Sequence, residues 1–381
     1  MNQILKRATK YVIPSEKIQR QKDVLANQVV QLVQKAAYGY SQITGIEIVG
    51  SYAKGTWLPK RADLDVFVKF HTDVSEREFV DVGKKIGFEA LKKFKPYVRY
   101  AEHPFVEALV FDTKVNVVPC YDVTEGAWKS SADRSPFHTK FMIKSLTDTM
   151  KNEVRLLKAF LKANEIYGAE IAKQGFSGYV AEVLILNFGT FENVLKEFSH
   201  LKAGQIIGNT LKKFDTKIVI IDPIDGNRNL GAAISVENIG RFVLSARAFL
   251  RDPKITFFTA KKKIVKLNTK NILVLSFRYK SRSPDIIWGQ IKRATTSLAT
   301  QMNQAGFCVI KQAATISNDN IASLLFLLQS NKIDELQTRL GPEFFVREHV
   351  EKFIAVNKKK SLAMWINDDG KVCSLQKRQN I

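Results

Sequence analysis

Apolar residues recur at spacings of three and four between Ile18 and Ala37, at Leu25, Val29, Leu32, Val33 and Ala36, directly after the breaker Pro14-Ser15. This pattern predicts an amphipathic helix packed on a sheet. Short β-branched runs follow at Ile46–Gly50, Leu64–Phe70, Tyr97–His103, Phe105–Phe111 and Val115–Cys120. A turn is expected at Asp112-Thr113-Lys114, and a helical stretch, Glu76–Phe94, separates the second run from the third. Strands with an interposed helix predict an α/β or α+β domain ending near residue 140. Beyond Asp133-Arg134-Ser135-Pro136 the periodicity becomes helical, at Asn152–Asn164, Ser177–Phe188, Glu192–Phe198 and from about Ser235 to Arg251. A strand at Ile218–Ile221 and the turn-rich DPIDGNRN interrupt it. A basic link, Ala260–Lys266, leads to a β-α-β-β order at Ile272–Phe277, Ile286–Ala305, Phe307–Ala314 and Ala322–Leu328, as in small RNA-recognition modules. No internal repeat is visible in the sequence.

The chain has 381 residues, 45% of them hydrophobic and 25% charged, an ordinary globular composition that argues against wholesale disorder. That length is enough for two or three cores. Lys and Arg number 59 against 37 Asp and Glu, a net charge of +22, so a folded body carries a strong attraction for an anionic partner, nucleic acid foremost. No apolar run is long enough to span a membrane, and no membrane association is expected. Cys120, Cys308 and Cys373 lie far apart without metal-ligand spacing, which fits a reducing, cytoplasmic setting.

The stretch GSYAKGTWLPKRADLDVFVKF, from Gly50 to Phe70, carries the chemistry. It is not a phosphate-binding P-loop, because Lys54 precedes Gly55 where that loop needs a lysine just after the glycine. What remains is a Gly50-Ser51 turn after one strand and two aspartates, Asp63 and Asp65, entering the next. Residues two apart on a strand share a face, about 6–7 Å apart at the backbone. Two carboxylates so placed repel each other unless a cation lies between them. Mg²⁺ suits the pair because it takes oxygen ligands and shares its shell with nucleotide phosphates. Ser51 and the backbone N–H groups of the turn would then hold the triphosphate.

Gly50-Ser51 followed twelve residues after the serine by Asp63-x-Asp65 is similar to the signature of the polymerase-β-like nucleotidyltransferase superfamily. TWLPKRADLDVF, RYAEHPFVEALV, VVPCY, DRSPFH, NEVRLLKAFLKANEIYGAE, GFSGY and FFVREHVEKFIAVNK further resemble, in the same order, the archaeal-type (class I) tRNA CCA-adding enzymes. The resemblance implies an α+β multidomain chain. Its parts would be a polymerase-β-like catalytic domain over 1–141, a mainly helical nucleotide-recognition domain over 142–258 and a small α/β tRNA-binding domain over 259–381. It implies addition of C, C and A to tRNA 3′ ends from CTP and ATP, with Asp63 and Asp65 as Mg²⁺ ligands. Gly50, Ser51 and Lys54 fall on its nucleotide-binding turn. His138, Lys158 and Tyr167 match positions that contact the incoming nucleotide, and Arg228 matches an arginine that helps present the base edge. Taken singly, each has an ordinary structural explanation: a solvated lysine face, a structural histidine, a core tyrosine, a salt bridge to Asp222 or Asp225.

Two departures qualify the resemblance. Asn116 stands where the family has a third metal-binding carboxylate; its carbonyl can bind a cation, but it brings no charge and accepts no proton. Asp112 shares the strand parity of 116 but is about 13 Å away along an extended strand, and the facing of Glu107 is open. The expectation is a chain that binds tRNA and nucleotide but turns over slowly. A second departure is expected at the C-terminus: the family continues into a tRNA-gripping, dimer-forming tail past the segment matching the stretch that ends at Ile381, so a weakened TψC-arm affinity and a weakened homodimer are expected. Basic clusters at Lys92–Arg99, Lys261–Lys266, Arg278–Arg282 and Lys358–Lys360 are candidate tracks for tRNA phosphates. Rival readings are a poly(A) or oligoadenylate-type polymerase, recognisable by using ATP without CTP, and a non-catalytic tRNA-binding protein.

Overall fold

A computed structural model describes every residue except 60–61, 100–102, 260–269, 281, 318, 334 and 379–381. By internal contacts the chain divides into two units, Met1–Lys263 with Ser283–Asp285, and Ile264–Arg282 with Ile286–Ile381.

The first unit opens with helices α1 (Asn2–Val12) and α2 (Glu16–Ala37). Strand β1 (Ile43–Val49), the short helix α3 (Gly50–Ala53), β2 (Leu64–Phe70), α4 (Glu76–Leu91), β3 (Tyr97–Arg99), β4 (Phe105–Val110) and β5 (Thr113–Tyr121) follow. The five strands form one sheet in the order β1-β2-β5-β4-β3, with β2 and β5 parallel. Alternate residues face opposite ways. Leu64, Val66, Val68 and Phe70 of β2 join Val115 and Val117 of β5 and Val106, Ala108 and Val110 of β4 in a core covered by Leu25, Val29 and Val33 of α2 and Phe79, Val82 and Ile86 of α4. The intervening residues, Asp65, Asn116 and Glu107, share the other face. The helix expected over 18–37 therefore packs as its spacing requires, except that Leu32 is exposed. The turn expected at 112–114 sits one residue earlier: Phe111 and Asp112 both have positive φ, and Thr113 already pairs with Val110. A two-residue turn of this hand matches the strand twist. Of the strand expected over Tyr97–His103, only Tyr97–Arg99 is extended among the described residues.

A second core is helical. It is built by α5 (Arg134–Ser145), α6 (Asp148–Ala163), α7 (Gly178–Phe188) and α8 (Phe191–Ser199), by the small sheet β6 (Gln205–Ile207), β7 (Ile218–Asp222) and β8 (Asp225–Asn229), and by α9 (Val236–Arg251). Phe160, Phe176, Phe191, Phe198, Phe242 and Phe249 are fully buried there. Ala8 and Val12 of α1 also belong to this core, although α1 opens the chain. Ser15, Ser75, Thr147, Ser177, Thr190 and Ser235 cap the helices that follow them through side-chain oxygens, satisfying orphan N–H groups. The turn-rich DPIDGNRN is a tight hairpin whose second arm is the edge strand β8.

The second unit carries β9 (Ile272–Arg278), α10 (Pro284–Ala305), β10 (Val309–Ile316) and β11 (Ile321–Leu328), with strand order β10-β11-β9. This is the expected β-α-β-β module. It is followed by β12 (Leu336–Glu343), α11 (Arg347–Asn357), β13 (Ser361–Ile366) and β14 (Lys371–Lys377), with order β12-β14-β13. Both halves thus share one β-α-β-β topology and one strand order, a repetition of architecture that the sequence does not display. Among the described residues no helix is long and apolar enough to cross a membrane.

Candidate active site

The turn after β1 and the start of β2 meet because β1 and β2 are antiparallel neighbours, with Val49 opposite Asp65. Gly50 has φ +79, and a Cβ on it would run into the Asp65 carboxylate, so both the backbone conformation and the approach need glycine. Its N–H donates to the Thr139 hydroxyl on α5 at 3.1 Å. Ser51 lies in the first turn of α3, directly after it.

Asp63 lies just outside β2 and is exposed, and Asp65 lies within the strand and is half-buried. The carbonyl before Asp63 is held in place: the buried Lys22 of α2 donates to Ala62 O at 2.6 Å and to the Thr113 hydroxyl at 2.9 Å. Burial raises both aspartates. Asp65 is pushed up to about 6, with the Asn116 amide opposing that rise and the charge of Asp63 adding to it. β2 is an interior strand, so the pair does not sit on a sheet edge.

Asn116 pairs directly with Asp65 across the parallel strands. Its Nδ2 donates to Asp65 Oδ1 at 2.8 Å, while its Oδ1 is buried without a partner. Glu107, whose facing the sequence left open, is the next residue in the same row, opposite Asn116 on β4. It is 5% exposed and turned toward the Tyr97 hydroxyl, Arg99 and Lys114. Among the described residues no group of three or more His, Cys, Asp or Glu is gathered closely enough to hold a metal ion. With Asn116 in the row, the site offers two carboxylates and one amide oxygen.

A cleft of about 280 Å³ opens over these residues, lined by Gly50, Lys54, Asp65, Asn116, His138 and Tyr179 among others. Its far wall rests on two buried carboxylates: Asp222, which the sequence offered only as a salt-bridge partner of Arg228, and Glu182, which sequence reasoning missed. Asp222, wholly buried, accepts from His138 Nε2 at 2.8 Å, from the Tyr179 hydroxyl at 2.9 Å and from Arg228 Nη1 at 3.0 Å. The His138 ring stacks on Tyr179 with centroids 3.9 Å apart. Burial holds His138 below the usual imidazole range, with Asp222 pulling the other way. Arg228 therefore does form a salt bridge to Asp222, and that bridge ties it to His138; Asp225 pairs with Arg134 instead.

The second is Glu182, within the buried run Val180–Ile185 of helix α7. Lys54 Nζ donates to its Oε2 at 2.5 Å, and Thr56 Oγ1 and Lys158 Nζ donate to its Oε1 at 2.5 and 2.8 Å. Lys158 also donates to Thr56 Oγ1 at 3.0 Å and to Thr56 O at 3.2 Å. It is 2% exposed and does not line the cleft. Tyr167 sits beside it: a Cβ on Gly178 would lie 2.8 Å from the Tyr167 hydroxyl and 3.6 Å from Lys158 Nζ. A charged residue within the buried run Val180–Ile185 was the available signal for Glu182, since such a group persists only when paired.

Fold and site together define a nucleotidyltransferase, and residues 28–144 match the family model of the nucleotidyltransferase domain. Residues 152–259 match the second domain of tRNA nucleotidyltransferases, and 268–380 the C-terminal domain of CCA-adding enzymes. The chain belongs to the CCA-adding enzyme family. It is 36% identical over 337 residues to the CCA-adding enzyme of Saccharolobus islandicus, covering 87% of this chain and 80% of the relative. It is 32% identical over 362 residues to that of Pyrobaculum islandicum, covering 93% and 86%. A solved structure of the Cid1 poly(U) polymerase bound to MgATP shares the fold at TM-score 0.52 and 12% identity, over 68% of this chain and 98% of that one.

Proposed function

We propose that this protein completes the CCA end of tRNA, adding C, C and A in turn from CTP and ATP. The observation that carries the reading is the Gly50 turn seated on Asp65, with Asn116 beside it and the Lys54–His138 wall opposite. The donor set fits Mg²⁺: Asp63 and Asp65 would hold it, and the partnerless Asn116 Oδ1 offers a third oxygen once the amide turns over. Such an ion, when bound, supplies charge stabilisation for the triphosphate and lowers the pKa of a coordinated hydroxyl.

This chain's own residues do the rest. Gly50, Ser51 and Lys54 bracket the triphosphate, and His138, Lys158 and Tyr167 lie on or behind the same wall. Arg228, oriented by Asp222, addresses the base. Asn116 accepts no proton, so the attacking 3′-hydroxyl must give its proton to Asp63, Asp65 or solvent. Turnover is accordingly slow relative to an all-carboxylate site. The exposed Lys92, Lys93 and Lys95 on the first unit, and Arg278, Lys280, Arg282 and Lys358–Lys360 on the second, would contact tRNA phosphates. Cluster Lys261–Lys266 and the link Ala260–Lys266 lie outside the described residues. Cys120, Cys308 and Cys373 are all free thiols, which favours a reducing compartment such as the cytoplasm.

The test is incorporation of labelled CTP and ATP into tRNA lacking CCA. Ordered addition of two C and one A is expected. Extension by ATP alone past one adenosine would identify a poly(A)-type polymerase, and tRNA binding without incorporation would identify a binding protein.

A further inference from the structure

We infer that Glu182 is a positioning residue of the nucleotide site, fixing the Lys54 ammonium at the cleft wall to receive a triphosphate and holding the Lys158 ammonium directly behind it. This rests on the nucleotide-binding reading above. Three elements converge on one wholly buried carboxylate: Lys54 and Thr56 from the segment after the glycine turn, Lys158 from α6, and Glu182 itself from α7. Two cations on one anion leave a net charge of +1 at the wall of the cleft, and Lys54, which lines it, carries that charge toward the opening. The ammonium of Lys54 also lies 5.4 Å from the Tyr179 ring centre, so its side chain is steered from two directions. Arg155 of α6 holds the same segment in place, donating to Gly55 O at 2.5 Å and to Trp57 O at 3.2 Å.

The charged and titratable groups facing this cluster are Lys162, Asp65 and His138, with the hydroxyls of Tyr167 and Tyr179. Burial acts against every charge here. For Glu182 the two lysines outweigh it and hold the carboxyl down to about 2. For Lys158 burial prevails over Glu182, lowering the ammonium to about 8. Removing the carboxylate leaves two buried like charges facing each other, and Lys158 then loses its proton at lower pH.

The experiment is calorimetric measurement of MgATP and MgCTP dissociation constants from roughly pH 6.5 to roughly pH 9.5 for the wild-type protein, Glu182→Gln and Glu182→Asp. Glu182→Gln is expected to weaken both nucleotides about tenfold near neutrality, the loss of one charge-assisted contact. Its affinity should begin to fall at lower pH than in the wild type, and Glu182→Asp should keep the wild-type pH profile. A merely structural role predicts the same loss at every pH, and a Glu182→Gln profile of wild-type shape overturns the inference. Should Glu182→Gln fail to fold, Lys158→Met/Glu182→Gln removes one charge of each sign together. That variant is expected to bind weakly with no decline through about pH 8, and a decline at the wild-type pH overturns the assignment. If the wild type binds neither nucleotide, the functional reading itself falls, whereas wild-type binding with an unchanged Glu182→Gln profile refutes the role of Glu182 alone.

Discussion

Asn116→Asp is the substitution that most directly probes the site. In the metal-free protein the Asn116 amide donates to Asp65 at 2.8 Å, and a hydrogen bond to a charged group contributes about 1.5–3 kcal/mol. An aspartate there replaces attraction by repulsion: two unit charges about 4 Å apart at an effective dielectric constant near 20 repel by about 4 kcal/mol. The full penalty is not reached, because one carboxyl of the new pair takes up a proton instead. Asp65 already sits at about 6, so at about pH 7.5 holding that proton costs at most about 2 kcal/mol at 1.36 kcal/mol per unit. The sign follows from linkage. A carboxyl raised in the folded state binds its proton more tightly than in the unfolded chain, so the metal-free variant loses stability as pH rises through the folded value and recovers it below.

The expected result is a metal-free melting temperature lower than wild type by roughly 4–8 °C at about pH 7.5, with a smaller gap at about pH 5.5. Added Mg²⁺ should reverse the order, because the cation meets three carboxylates in the variant and only two in the wild type. Incorporation of CTP and ATP into tRNA lacking CCA should rise about tenfold or more. Equal magnesium-induced shifts in melting temperature, together with equal incorporation rates, would refute the reasoning that Asn116 weakens the metal site.

Two further outcomes follow from the cleft. Gly50→Ala forces a side chain into the left-handed region and against the Asp65 carboxylate, and is expected to lower stability by about 1–3 kcal/mol and abolish magnesium-dependent nucleotide binding; unaltered binding by calorimetry would contradict the close approach. Asp222→Asn removes the carboxylate that raises His138 against burial, so the imidazole should titrate at lower pH in NMR spectra, and the ratio of C to A incorporation should shift as Arg228 loses its anchor. A His138 midpoint that stays in place would mean that Asp222 does not govern it.

The parts legible in the sequence are those fixed by short-range pattern. Strand parity put Asp65 on the face of β2 turned away from the core, although Asp63 lies outside that strand, and apolar recurrence at three and four marked α2, α6, α7 and α9. Helix α1 carries helical spacing at Ile4, Leu5, Ala8 and Val12, but that spacing does not tell that its partners lie in the helical core, far along the chain. Strand β8, with Gly226 and Asn227 at its centre, has no strand propensity and exists because β7 offers it a ladder. The last β-α-β-β half is not legible because β13 reads Leu362-Ala363-Met364-Trp365-Ile366, an apolar run without the alternation that marks a half-buried strand.

What the sequence withholds is the arrangement of charge behind the cleft. Lys54 and His138 on the far wall each have a wholly buried carboxylate behind them, Glu182 and Asp222, at sequence separations of 128 and 84 residues. No local spacing encodes such pairs. The two networks meet at Tyr179, whose hydroxyl reaches Asp222 while its ring lies between His138 and the Lys54 ammonium. An anion placed behind such a donor orients it without occupying the cleft, where a carboxylate would repel the triphosphate. The sheet side works in the opposite sense. On the proposed function a bound metal ion would be the partner of Asp63 and Asp65, and Asn116 would leave that side one charge short of three carboxylates.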